Sequence, residues 1–271
     1  MKNILVVGCN GGMGKAICSK LLQKDFAVVG IDIHEAPAVE NITYFRGDVR
    51  NFDGLQAIFE QLKADEITLH AVVTTSGIYR MNSLLEISES DYQTIFDINF
   101  LGVYRVNKIF APLMVKGSRF VITSSELAPL NPLPFTGLYG ITKSALEKYA
   151  FSLRMEVSLL GMHVSIIRPG AVKTQLLDDT MANINAFCDN TELYKENSRK
   201  FLGIVNAVES KHVKPERVAK LVAKAVCAKN PRYVYNLNRN LGLRLLSILP
   251  HRMQVGIITG LLKGKKANDK L

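Results

Sequence analysis

Tyr139 and Lys143 stand four residues apart in the run Tyr-Gly-Ile-Thr-Lys, within a segment of helical character. On a helix that spacing puts both side chains on one face. A phenol ordinarily titrates near pH ~10, and a fixed ammonium beside it stabilises the phenolate and moves the titration towards neutrality. The pair is therefore a candidate acid/base, with Tyr139 exchanging the proton and Lys143 tuning it. The same spacing also occurs in ordinary exposed helices, so the chemistry depends on what the rest of the chain brings to it.

A second cluster lies near the N-terminus, where Val-Gly-Cys-Asn-Gly-Gly-Met-Gly (residues 7–14) separates an apolar run from a helical stretch. Glycine is needed where the backbone turns sharply and where it must approach a pyrophosphate without a Cβ in the way. The helix that follows offers free N–H groups and the positive end of its dipole. Gly8, Asn10, Gly11, Gly12, Met13 and Gly14 are thus expected to hold a nucleotide. The glycines read equally well as Gly8-x-x-x-Gly12-x-Gly14 and as Gly8-x-x-Gly11-x-x-Gly14. Asp32 follows 18 residues after Gly14, at the end of the second apolar run and next to Ile33. A carboxylate there accepts hydrogen bonds from the adenosine ribose hydroxyls and repels a 2′-phosphate. Neither the loop nor His34 supplies a cation for that phosphate, so NAD is expected in preference to NADP.

These residues need elements to position them. Short β-branched runs at 3–7, 27–31, 71–74, 120–123 and 164–167 alternate with amphipathic stretches at 52–63, 91–114, 139–160 and 215–229. Strands apolar on both faces that alternate with helices imply right-handed βαβ units. The expected fold is α/β, a doubly wound Rossmann-type parallel sheet forming a single domain over residues 1–238. Residues 175–213 read as loop and irregular helix, and an insertion of that length in a compact fold is expected to be a lid over the active site. Residues 239–271 read as a basic, amphipathic helical C-terminal extension. Arg244, Pro250, His251 and Arg252 interrupt its apolar run, which argues against a membrane-spanning helix. The extension is expected to pack on the body as part of a substrate pocket or a subunit contact, a peripheral membrane contact being the less favoured reading.

The net charge of +10 is unevenly spread: residues 195–271 hold 17 Lys and Arg against 4 Asp and Glu, net +13, and the remainder is net −3. The skew reads as a solvated face. There is no aromatic interleaving and no finger or helix-turn-helix spacing, so nucleic acid is not expected as a partner. Cys9, Cys18, Cys188 and Cys227 form no C-x-x-C pair and show no metal-ligand spacing with histidine, so reduced cysteines and no metal are expected. The chain passes directly from Met-Lys-Asn into a strand-like run without the parts of a signal peptide, and a cytoplasmic location is expected.

With the glycine loop, Asp32 and the Tyr139/Lys143 pair in register, the chain resembles the short-chain dehydrogenase/reductase family from residue 2 to about residue 235. The first glycine spacing is that of its compact members, the second that of longer relatives that include epimerases and dehydratases. Chain length and a single Pro-Gly loop favour the compact branch. The resemblance implies further roles. Asp48-Val49 stands where the family holds the adenine. Thr74-Thr75-Ser76-Gly77 stands where it has Asn-Asn-Ala-Gly, and the hydroxyls of Thr75 and Ser76 are expected to restore part of the support lost with the asparagines. Asn99 matches an asparagine whose backbone carbonyl anchors a water in a proton relay to the lysine. Ser125 matches the substrate-orienting serine, with Ser124 as the alternative. Pro169, Gly170, Val172 and Thr174 match the loop that fixes the nicotinamide carboxamide, and Lys143 would also grip the nicotinamide ribose.

The implied activity is that of an NAD-dependent oxidoreductase interconverting a secondary alcohol and a ketone, working as a homodimer or homotetramer. Met181, Phe187, Tyr194, Phe201, Leu202 and the leucine-rich tail suggest an apolar pocket. The run Asn230-Pro231-Arg232-Tyr233 and the turns after it resemble hydroxysteroid and retinol dehydrogenases, which points to a substrate of steroid, bile-acid or retinoid type. Two other readings stay open: a non-catalytic NAD(H)-binding regulator, and an epimerase- or dehydratase-type relative.

Overall fold

A computed structural model describes residues 1–35, 37–209 and 211–263, the side chains of 175–182 and 208–209 excepted. Seven short, largely apolar runs pair in parallel as β1 (Lys2–Val7), β2 (Phe26–Asp32), β3 (Ile42–Arg46), β4 (Leu69–Thr74), β5 (Met114–Thr123), β6 (His163–Pro169) and β7 (Val234–Leu237). Their order in the sheet is β3-β2-β1-β4-β5-β6-β7. The order reverses between β1 and β4, where Val7 pairs with Thr74, and a crevice opens beyond those carboxyl ends. The sheet is the expected Rossmann-type one, and β3 and β7 are strands that the periodicity did not indicate.

Helices α1 (Gly12–Leu22) and α8 (Pro215–Cys227) cover one face; α2 (Phe52–Ala64), α4 (Gly102–Phe110) and α5 (Gly137–Ser158) cover the other. α8 shows why. Val218, Val222, Ala225 and Val226 form one buried stripe, and covering each valine is worth about 1.5–3 kcal/mol. The single long helix expected over 91–114 is broken into α3 (Glu89–Phe96), a π-turn (Asp97–Leu101), α4 and a 3₁₀ turn containing Pro112. Asn99 lies within this π-turn and is its one buried residue.

Residues 175–213 are more regular than expected: they form α6 (Gln175–Asn190) and α7 (Lys195–Glu209). The cause is two i,i+4 pairs, Ile184/Cys188 and Phe201/Val205, all buried around Met81 and Phe135 in an apolar cluster separate from the sheet. The tail forms α9 (Leu241–Ile248) and α10 (His251–Leu262). Among the described residues no helix is long and apolar enough to cross a membrane.

Candidate active site

The chain leaves β1 at Gly8 with φ +82°, where a Cβ would meet Thr75 Oγ1 at 2.7 Å. A Cβ on Gly14 would collide with the Gly8 carbonyl oxygen, and one on Gly12 would lie 2.8 Å from Thr174 Cγ2, but at Gly11 the nearest atom is 3.5 Å away. Space therefore demands glycine at 8, 12 and 14, the first of the two spacings. No acidic residue stands in the first turn of α1, so its free N–H groups and a bare backbone fit a phosphate. Thr75 Oγ1 reaches the carbonyl oxygens of Val7 (3.0 Å) and Gly8 (3.1 Å), tying β4 to the glycine turn as expected. Ser76 gives no such support: its hydroxyl is buried with no partner among the described residues.

Asp32 closes the other end of this surface. Its buried carboxylate accepts the N–H of Asn10 (2.9 Å) and of His34 (3.1 Å), and Asn10 Nδ2 donates to the His34 carbonyl (2.7 Å). The glycine turn is thereby locked to the end of β2, and each carboxylate oxygen keeps acceptor capacity for a ribose hydroxyl. Ile33, next along, is exposed. Asp48 is held by its neighbour Arg50. Arg50 clasps its carboxylate at 2.6 and 3.0 Å and holds it below the usual carboxylate range. Val49 is buried, its Cγ2 2.7 Å from where a Cβ on Gly102 would stand.

Across the crevice α5 presents Tyr139 and Lys143 on one face. Lys143 is buried, donates to the Thr123 carbonyl at 3.1 Å, and sits 5.8 Å from the centre of the Tyr139 ring. Burial pushes the Tyr139 phenol up to about 12, a hydrogen bond with Ser125 opposing it. Burial likewise pulls the Lys143 ammonium down to about 8, with Glu147 opposing. Desolvation thus dominates at the tyrosine, with the Ser125 hydroxyl opposing it. Tyr79 packs against Tyr139 with ring centroids 4.7 Å apart.

The two serines separate cleanly. Ser124 Oγ donates to Glu147 Oε1 (2.8 Å), whereas Ser125 is the one whose hydroxyl opposes the rise of the Tyr139 pKa. Glu147 also accepts Arg168 Nε at 2.7 Å, forming a largely buried ion pair beneath the site. Asn99 exchanges hydrogen bonds with the backbone of Ile78, accepting its N–H (2.8 Å) and donating to its carbonyl (2.9 Å). A Cβ on Gly77 would stand 3.2 Å from Asn99 Oδ1 and 3.5 Å from Lys143 Nζ, so these three residues converge.

Residues 169–174 complete the rim. Gly170 donates to Leu237 (2.8 Å), Lys173 donates to Val213 (2.9 Å), and Val172 pairs with Val213. A cleft of about 190 Å³ runs from Met13, Gly77 and Val172 past Ser125, Tyr139 and Lys143 to Leu133, Phe201, Ile204, Val205 and Leu243. Of the aromatic and apolar residues expected to line it, Phe201 does so. Phe187, Tyr194 and Leu202 pack instead within the cluster around Phe135, and the Met181 side chain lies outside the described residues.

Two ionisable residues escaped the sequence reading. Glu126 lines the cleft beside Ser125; it accepts the Asn240 N–H at 2.5 Å, and burial pushes its carboxyl up. Glu147 lies one further turn along the Tyr139/Lys143 face. Their signal was a charge at a position the pattern makes buried, where a carboxylate is held only by partners.

A family model described as short chain dehydrogenase matches residues 2–185. The chain belongs to the short-chain dehydrogenase family. Among its relatives, the 3-ketodihydrosphingosine reductase of Bacteroides thetaiotaomicron is 24% identical over 85% of this chain and 85% of that one. Human 17-beta-hydroxysteroid dehydrogenase type 2 is 25% identical over 99% of this short-chain dehydrogenase and 75% of its own length. The solved structure of ElxO with NADP bound shares the fold with a TM-score of 0.69, at 20% identity over 87% of this chain and 95% of that one.

Proposed function

We propose that this short-chain dehydrogenase interconverts a hydrophobic secondary alcohol and its ketone, with NAD(H) preferred over NADP(H). The observation that carries the reading is the meeting of Ser125, Tyr139 and Lys143 in a cleft with an apolar far wall. When bound, the nicotinamide supplies the hydride donor or acceptor. Gly8, Gly12, Gly14 and the start of α1 would hold the pyrophosphate and Asp32 the adenosine ribose. Lys143 would hold the second ribose, and Val172 and Thr174 the carboxamide. Ser125 would orient the substrate oxygen, Tyr139 would give it a proton in reduction or take one in oxidation, and Asn99 would support the relay behind Lys143.

With burial holding its pKa near about 12, the Tyr139 phenol is protonated at neutral pH, and because oxidation needs the phenolate it should quicken as pH rises. Asp32 supports NAD, because a 2′-phosphate beside its carboxylate would be repelled; ElxO, which carries NADP, sets the contrast to be tested. Two relatives named for a ketodihydrosphingosine and a hydroxysteroid support a lipid-like substrate. A homodimer through α5, where Phe151 and Met155 are exposed, belongs to the same reading.

The test is NADH and NADPH consumption against a panel of steroid, bile-acid, retinoid and long-chain aliphatic ketones. NADH-dependent reduction of at least one is expected. Preference for NADPH would overturn the role of Asp32, and NADH binding with silence across the panel would favour the NAD(H)-binding regulator.

A further inference from the structure

The tail packs on the body on its inner side, through Leu243 in the cleft wall and Ile258 and Leu262 in the cluster around Phe135, while α9 buries no residue and α10 buries only Gln254 and Leu262. Leu241, Leu245 and Ile248 recur at i, i+4 and i+7 on α9 and are 64, 58 and 78% exposed. On α10, Met253, Ile257 and Leu261 recur at i, i+4 and i+8 and are also exposed. These helices are nevertheless fixed in orientation. Asn131 Nδ2 donates to Gln254 Oε1 (3.0 Å), and from α7 Asn197 Nδ2 donates to the Leu262 carbonyl (2.8 Å).

The charges on these helices are of one sign: Arg244, Arg252 and Lys263 are exposed, and residues 240–263 hold no carboxylate. An apolar helical face edged by cations matches the headgroup region of an anionic bilayer: the leucines enter the acyl boundary while the cations meet lipid phosphates. A second copy of the chain fits less well, because a two-fold contact would set these cations against their own copies. Leu243, on the side of α9 opposite Leu241 and Leu245, lines the cleft, so the helix that carries the exposed face also walls the cleft.

We propose that the outer face of α9 and α10 docks the protein on an anionic membrane surface, with the helix that walls the cleft lying against the lipid. Docking does not depend on the redox reading and is measured without turnover. The experiment is co-sedimentation of the full chain with phosphatidylcholine vesicles with and without phosphatidylserine, alongside its oligomeric state in solution. Binding to the phosphatidylserine vesicles, weakening as salt rises, is expected. Leu245→Glu with Ile248→Glu should lower it by about tenfold or more, with turnover of a water-soluble ketone unchanged. Should that variant misfold, Arg244→Gln with Arg252→Gln keeps the apolar contacts and should still weaken binding by about tenfold. Absence of binding to phosphatidylserine vesicles, or binding indifferent to both variants, would overturn the proposal. So would a wild-type dimer that the glutamates split while vesicle binding is nil, which would assign the face to a second copy.

Discussion

On the cofactor side of the cleft, position is fixed by backbone: Gly8 in a left-handed turn, Thr75 bonded to two carbonyls, and Asp32 holding Asn10 and His34. On the substrate side, position comes from side-chain packing, with Phe201 and Val205 on a cluster separate from the sheet and Leu243 on a helix that buries nothing. Backbone constraints tolerate almost no substitution, because a Cβ either fits or collides. Apolar walls tolerate many, because volume and hydrophobicity matter more than identity. One side can thus stay with a single ligand class while the other changes substrate.

The largest effect expected lies beneath both sides, in the Glu147–Arg168 ion pair. Glu147→Ala leaves Arg168 buried without its partner and should cost about 3–5 kcal/mol in denaturant unfolding. A loss confined to substrate KM, with stability intact, would break the contrast. Gly14→Val should weaken NADH binding by about a hundredfold in a fluorescence titration, because the added carbons must displace the Gly8 turn that faces the phosphates. Leu243→Ala probes the packed side: substrate KM should rise by about tenfold while NADH affinity stays unchanged.

The smallest effect on stability concerns Lys143. Its pKa of about 8 in the folded protein lies below its ordinary value, so the unfolded chain binds the extra proton between those two values. Stability should therefore rise with pH from about 8 towards ~10. Lys143→Met should raise stability at pH 7 by about 1 kcal/mol and give no gain above pH ~10, as read from melting across pH, while abolishing turnover.

The same contrast decides what could be read from the sequence. Glycine positions, Asp32 and the Tyr139/Lys143 spacing were legible because backbone geometry ties residue type to fixed offsets. The choice between the two glycine readings needed space, since only the approach of Thr174 shows that Gly12 and not Gly11 must lack a Cβ. α6 and α7 read as irregular although Ile184/Cys188 and Phe201/Val205 hold helical spacing, because their apolar faces pack on Phe135 rather than on the sheet. Phe187 and Tyr194 went to that cluster for the same reason. The direction of the Tyr139 shift was beyond sequence, because it depends on how completely the hydroxyl is desolvated.

The most direct test is Tyr139→Phe, with NADH affinity and ketone reduction measured on the same preparation. The two sides being separable, NADH should bind as in the wild type while turnover falls by about a thousandfold. Turnover within a few fold of wild type would contradict the assignment of Tyr139 as the proton donor.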